Sequence, residues 1–299
     1  MGLFDFLKRK PTPQAPASQQ SATGGDIPDM RPVELEPGLT VPAVLLDIFR
    51  TAKEMQLPYV KITAQQQDDI SLHQSSFGNY PCIPAGFAYP KDSEGKLMYP
   101  LAQLNCRDLP ALSGYPSSGY LQFYISTNDI YGLNFDNLRE QKDFRVHYFT
   151  EDEVKEYQAD FSFLQDVITF KESPVYGPHL LSFESGTDHG NMLDYRFTKR
   201  LRPMLDQLVQ KYPAYDDELN EYMYDTLSGN GHKAGGYAFF TQEDPRINNP
   251  EIEDYVLLLQ IDSDDHIMWG DVGVANFFIH PDDLARLDFS RVMYTWDCS

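Results

Sequence analysis

The sequence predicts an α+β fold with largely antiparallel sheets, built from two pseudo-repeated halves with a helix-bearing insertion between them. Three observations carry this expectation. Short aromatic or β-branched runs are bounded by turn formers, helical patterns come in blocks rather than in strict alternation with strands, and the chain resembles itself at long range.

Residues 1–39 read as an N-terminal tail and flexible linker ahead of a folded unit spanning 40–299. Leu3, Phe4 and Leu7 share one face of a short helix followed by Lys8, Arg9 and Lys10, a pattern suited to docking on a membrane surface or a complex. Residues 11–38 are rich in Pro, Gln, Ser, Ala and Gly and bury too little to offset the entropy of ordering them. The folded part should open with a helix near 41–56, capped by Thr40 and with Pro42 in its first turn. A second helix is expected from Glu151, since Thr150 and Glu153 have capping-box spacing. Further helices fall at 193–211, broken or kinked at Pro203, and at 216–228, stopped by Gly229. Strand patterns occupy 101–105, 119–125, 145–149, 255–261, 274–279 and 291–296.

Laid over itself at an offset of 157, the chain pairs Gly78, Tyr80, Gln103 and Leu104 with Gly235, Tyr237, Gln260 and Ile261, and Asn105 with Asp262. After a three-residue adjustment GYLQFYISTNDI matches GVANFFIHPDDL, with Gly119 on Gly273, Phe123 on Phe277 and Ile125 on Ile279. The copies span about 78–130 and 235–284, leaving 131–228 as the insertion. Two copies of one unit are expected to bury their apolar faces against each other. A site at their seam would then bring Gln103 and Gln260 to one cleft.

The formal charge of −21 repels phosphate backbones, which argues against a nucleic-acid partner and favours a basic protein or peptide. Nineteen Tyr and 19 Phe are ample for a packed interior. Cys82, Cys106 and Cys298 have no CxxC spacing, so neither a disulfide framework nor a zinc knuckle is indicated. No apolar run approaches the ~20 residues of a membrane span, and the basic residues at the start follow the apolar ones, the reverse of a signal peptide. A cytoplasmic setting is expected.

Chemistry-bearing residues concentrate in the second copy. Asp262, Asp264 and Asp271 offer hard oxygen ligands for a divalent cation, although Ile267 stands where an EF-hand loop needs Gly. Gly231, Gly235 and Gly236 precede Gln242, Asp244 and Arg246, and His232 has the chemistry of a general base that Asp244 or Asp271 could orient. Trp269 is a candidate stacking surface. Asp262 and Asp271 are candidate hydrolase carboxylates if their environments drive their pKa values apart. No GxSxG elbow or HExxH pair occurs, and His73, His147, His179, His189 and His280 are scattered. No cofactor is indicated.

The segments GHKAGGYAFFTQEDPR, LLLQIDSDDHIMWGDVGVANFFIHPDDL and DFSRVMYTWDC, together with YPLAQLNCRDLP and GYLQFYIS, resemble the YwqG-like family of bacterial proteins of unknown function over roughly 40–298. FGNYPCIP departs from the family's double-glycine form at Asn79. The resemblance implies an α+β fold and an intracellular setting, and no reaction. The leading expectation is therefore a non-enzymatic binding or regulatory protein that neutralises a basic partner. The alternative is a hydrolase or transferase with a carboxylate-rich, metal-assisted site at the seam.

Overall fold

The computed structural model describes residues 26–175 and 177–299. The docking pattern at Leu3 to Lys10 lies outside them. A hairpin of β1 (Pro32–Glu36) and β2 (Leu39–Pro42) comes first, so residues 32–38, in the stretch read as linker, take up strand and turn structure. Leu35 and Leu39 pack on the cluster of Phe49 and Ala52, which a composition average over 11–38 conceals. The helix expected over 41–56 is shorter. A 3-10 turn at Ala43–Leu45 leads into α1 (Leu46–Glu54), and neither start is capped by a side chain.

The strands β3 (Leu57–Gln66), β4 (Ser76–Phe77), β5 (Tyr99–Asn105), β6 (Tyr120–Ile125), β7 (Phe144–Phe149) and β8 (His179–Asp188) follow, with a single-turn α2 (Gln165–Ile168) before β8. Then come α3 (Tyr195–Lys211), α4 (Asp216–Thr226), β9 (Lys233–Gly235), β10 (Val256–Asp262), β11 (Val274–Ile279), α5 (Pro281–Ala285) and β12 (Met293–Asp297). One ten-stranded antiparallel sheet runs in the order β12-β11-β10-β9-β3-β8-β4-β5-β6-β7. The architecture is α+β, as the block pattern predicts.

Three expectations are corrected. The capping-box bonds between Thr150 and Glu153 do form, yet residues 151–156 are turns, because a cap supplies only the first orphan amides and no apolar helical stripe follows. Residues 131–228 bear helices α3 and α4 and the strand expected at 145–149, but also β8, a central strand of the sheet that the expectation lacked. Pro203 does not break α3, which continues to Lys211 with Phe197, Leu201 and Leu205 buried along one face. Packing of that face outweighs the missing backbone bond.

The self-similarity of the sequence corresponds to a shared hydrogen-bond register. At the offset of 157, β5 maps onto β10 end to end, Ser76 opposite Gln103 maps onto Lys233 opposite Gln260, and both copies carry a bulge at the same place, Pro100/Ala102 and Leu257/Leu259. Gly78 and Gly235 both take positive φ, +62° and +72°, and a Cβ would lie 2.8 Å from Val175 in one and 2.9 Å from Leu112 in the other. The mapping extends to strands outside the sequence match. Val60 faces Ala234 as His179 faces Phe77, and Ile62 N–H donates to the His232 carbonyl at 3.0 Å as Leu181 N–H donates to that of Ser75 at 3.1 Å. Under it Thr63 falls on Ser182, its own cross-strand partner, so an approximate two-fold axis passes through that pair. Each copy's leading strand, β3 or β8, pairs with the short strand of the other copy.

The sheet curls until its edges approach. Flat, β7 and β12 would stand about 43 Å apart at the usual strand spacing. Instead the rings of Phe144 and Tyr294 lie 5.2 Å apart, and residues 130–138 bridge the remaining gap. Tyr294 N–H donates to Leu138 O at 2.9 Å, Tyr294 OH to Tyr131 O at 3.1 Å and Trp296 Nε1–H to Ile130 O at 2.7 Å. The enclosed core holds Leu101, Phe123, Phe144, Ile261, Phe277 and Tyr294. Helices α1, α3 and α4 cover a second apolar cluster with Ile48, Leu201, Leu219 and Met223.

Candidate functional site

The two glutamines predicted to share a cleft are instead the pins of two equivalent frames. Gln103 Oε1 accepts from Cys82 N–H at 2.7 Å while its amide donates to Leu72 and Gln74 carbonyls at 2.7 and 3.0 Å. Gln260 Oε1 accepts from Phe239 N–H at 2.7 Å while its amide donates to Gly229 and Gly231 carbonyls at 3.1 and 2.7 Å. These backbone partners are all displaced by the same 157 residues, whereas Gln103 Oε1 also accepts from Gln122 Nε2 at 2.8 Å, a bond without a counterpart at Gln260 among the described residues. Gln122 and Asn276 repeat the pattern, donating to Cys82 O and Phe239 O. Both Gln103 and Gln260 are buried, and β4, β8, β3 and β9 separate their strands.

Where the frame is shared, differences between the copies mark what the frame does not require. In the first copy the Ser75 hydroxyl accepts from Asn105 N–H at 2.9 Å and donates to Asp108 at 2.9 Å. In the second, the His232 imidazole takes that place. Its Nδ1 accepts from Asp262 N–H at 2.9 Å, which leaves Nε2 to donate to Asp264 Oδ2 at 3.0 Å. The tautomer is thereby fixed as Nε2–H. Ser76 is likewise replaced by Lys233, whose ammonium donates to Asp188 at 2.9 Å with both residues buried.

Around His232 gather His179, Asp262, Asp264 and His266. Asp262 accepts from Gly231 N–H at 2.6 Å and from Ser263 N–H at 2.9 Å; burial nevertheless raises its carboxyl above the ordinary value. Burial also works to raise Asp264, but hydrogen bonds from His232 and from the amides of His266 and Ile267 outweigh it and hold that carboxyl well below the usual range. His179 stands at the start of β8, 1% exposed, its ring 6.0 Å from that of His266. Burial lowers its pKa, and Nδ1 bonds the Gly177 carbonyl at 2.8 Å. Lys233 is also lowered by burial, against the pull of Asp188. In the sequence His179 stands among scattered histidines because its spatial neighbours His232, Asp264 and His266 lie far along the chain, just before β9 and on the turn after β10. Position 60, its counterpart, holds Val, and that contrast was legible only once β3 and β8 were known to correspond.

The remaining candidates are committed to structure. Arg246, fully buried, donates to Asp194 at 2.8 Å and Asp244 at 2.7 Å, while Asp194 also caps α3. Burial disfavours both charges, yet their mutual attraction wins and moves the Asp194 carboxyl down and the Arg246 guanidinium up. Gln242 is an exposed clasp that donates to Cys298 O at 2.7 Å. Trp269 is core rather than a stacking surface, 0% exposed with its ring 5.7 Å from Tyr131 and 6.1 Å from Trp296. Asp271 is exposed on the turn whereas Asp262 is buried. Asp264 spends its oxygens on the turn and on His232. Among the described residues no three His, Cys, Asp or Glu side chains are grouped to hold a metal ion, and no helix is long and apolar enough to cross a membrane.

One Cys–His contact escaped the sequence. Cys82 Sγ lies 3.4 Å from His73 Nδ1, which also contacts Tyr120 OH at 3.0 Å. Burial pushes the thiol up to about 11, which makes it a poor nucleophile at neutral pH. Two surface clefts of about 350 and 380 Å³ lie elsewhere, one between the β1–β2 hairpin, α1 and His189, the other along β7 beside Leu287 and Phe289. Neither is lined by the His232 cluster. The arrangement thus provides an oriented imidazole, a low-pKa carboxylate and a second imidazole whose charged form burial disfavours.

Residues 75–298 match the family described as Domain of unknown function (DUF1963). No curated protein matches the chain.

Proposed function

The chain belongs to the DUF1963 family, and we propose that it acts as a non-enzymatic binding protein for a cationic protein or peptide. One observation carries this reading. Of the acids and bases nominated for turnover, Asp244 is spent on Arg246 and Asp264 on His232, and Asp271 stands exposed away from the buried Asp262, while further acidic groups stand outside. The exposed face of α4 bears Asp216, Asp217, Glu218, Glu221 and Asp225, with no basic residue in the helix. The first three also complement the positive end of that helix. Glu221 and Asp225 have no such role. With a net charge of −21, this face attracts a polycation and accelerates its encounter. The finer identification as a YwqG-like protein belongs to the same proposal and rests on the segment around MWGD and its spacing from LLQIDSD.

The test is titration of a fluorescent lysine-rich decapeptide at about 0.15 M ionic strength. Saturable, salt-sensitive binding that weakens when the five α4 acids are changed to Asn or Gln is expected. Absence of saturable binding overturns the proposal, as does an equal loss on neutralising Asp68, Asp69 and Glu156 instead, which would mark attraction by net charge alone.

A further inference from the structure

We propose that His179 and His266 form a two-imidazole site for a first-row transition-metal ion of the kind imidazole prefers, Zn²⁺ or Cu²⁺. The argument begins with an unpaired atom. His179 Nδ1 donates to the Gly177 carbonyl at 2.8 Å, so Nε2 carries the lone pair, and that nitrogen is buried without a hydrogen-bond partner. A buried acceptor left unpaired is costly and rare in folded proteins. A backbone carbonyl fixing one ring nitrogen so that the other presents its lone pair is the outer-shell arrangement of metal-bound histidine.

The frame gives no reason for an imidazole here. The counterpart of His179 is Val60, which holds the same place against Ala234 that His179 holds against Phe77. The second imidazole is within reach. Metal–nitrogen bonds of about 2.0–2.1 Å place two ring centroids roughly 4.5–6.5 Å apart across a shared ion, about 5 Å at a tetrahedral angle, and those of His179 and His266 are 6.0 Å apart, so a modest rotation of His266 closes the pair. His266 is exposed on the turn between β10 and β11, so it has room to rotate and is open to solvent, from which an ion arrives. Asp264 lies beside both and keeps a negative charge, which offsets that of the cation. His232 is excluded as a ligand because both its nitrogens are engaged. Water completes the coordination, so the site is expected to be a moderate binder rather than a structural clamp.

The experiment is calorimetric titration of the full chain, freed of metal by chelator, with Zn²⁺ and separately with Cu²⁺. One equivalent should bind, and His266→Ala and His179→Val should each weaken binding about tenfold or more, the scale on which support of a bound histidine is felt. His280→Ala should leave it unchanged. Ca²⁺ should not reproduce the binding, since hard cations seek oxygen ligands. No uptake by the unmodified chain, equal uptake of Ca²⁺, or full affinity retained in His266→Ala overturns the site. His266→Ala decides the matter even if His179→Val fails to fold, because residue 266 is exposed on a turn.

Discussion

Phe123 and Phe277 hold the same position in the two copies of the repeat, and their rings meet in the middle of the fold, centroids 4.8 Å apart at 59°. They belong to β6 and β11, strands near opposite edges of the sheet, so their contact exists only because the sheet has curled around it. Truncating either to Ala should cost about 3–5 kcal/mol. Urea denaturation of the single and double variants should also reveal a coupling of about 0.5–1.5 kcal/mol between them. Strict additivity would mean the contact contributes nothing beyond separate burial.

The two glutamine frames should be energetically alike. Gln103→Leu strands the Cys82 amide and the Leu72 and Gln74 carbonyls; Gln260→Leu strands their counterparts at 239, 229 and 231. Each unsatisfied buried group costs about 1–3 kcal/mol. Both variants should therefore lose stability severely and by similar amounts in denaturant titrations, and loss in only one would show that the copies have diverged energetically.

Breaking the buried Asp194–Arg246–Asp244 group by Arg246→Met should cost about 3–5 kcal/mol, because two carboxylates are left without their cation. Arg246→Lys should recover only part of this in thermal melts, since an ammonium cannot make the forked contacts that also reach Tyr255 O at 2.9 Å.

Stability should fall steeply at alkaline pH. Burial raises Tyr99 and Tyr237 to about 12 and pushes Tyr124 and Tyr294 well above their ordinary value of 10.0. A group whose folded pKa is raised contributes stability that is complete below the unfolded pKa and is lost as pH climbs from there toward the folded one. Lys233, lowered by burial, acts in the opposite sense, with stability rising until pH reaches its unfolded pKa. The four tyrosines outnumber it. Tyrosinate absorbance should rise together with loss of near-UV dichroism above about pH 10, and tyrosine ionisation with intact tertiary signal would contradict the burial argument.

Exchange of the leading strands predicts that neither half folds alone. A fragment ending after β7 lacks the β8 that pairs with its β4, and its own β3 has lost β9 and β8. Fragments 26–160 and 161–299 should be unstructured apart and recover strand dichroism when refolded together. Independent folding of either would refute the exchange as a stability requirement.

The sequence by itself determined much of this protein. It placed the six strands β5, β6, β7, β10, β11 and β12 through their aromatic and β-branched runs, and α3 and α4 with Gly229 as the stop of the second, because these signals are local in the chain. The 157-residue self-match located the corresponding glutamines, since identical backbone frames demand the same amide at the same place. It missed β3, which the Lys- and Gln-bearing run LPYVKITAQQ disguises, and β8, whose half-exposed residues alternate weakly. It also over-read Asp244, Arg246 and Trp269 as site residues, because composition cannot distinguish a buried ion pair or a core indole from an exposed one. Only the tertiary structure decided which strand pairs with which copy, that the sheet closes on Phe123 and Phe277, and that His179 comes to lie beside His266. These depend on contacts between residues far apart in the chain, whose formation is settled by the burial of whole faces rather than by any local preference.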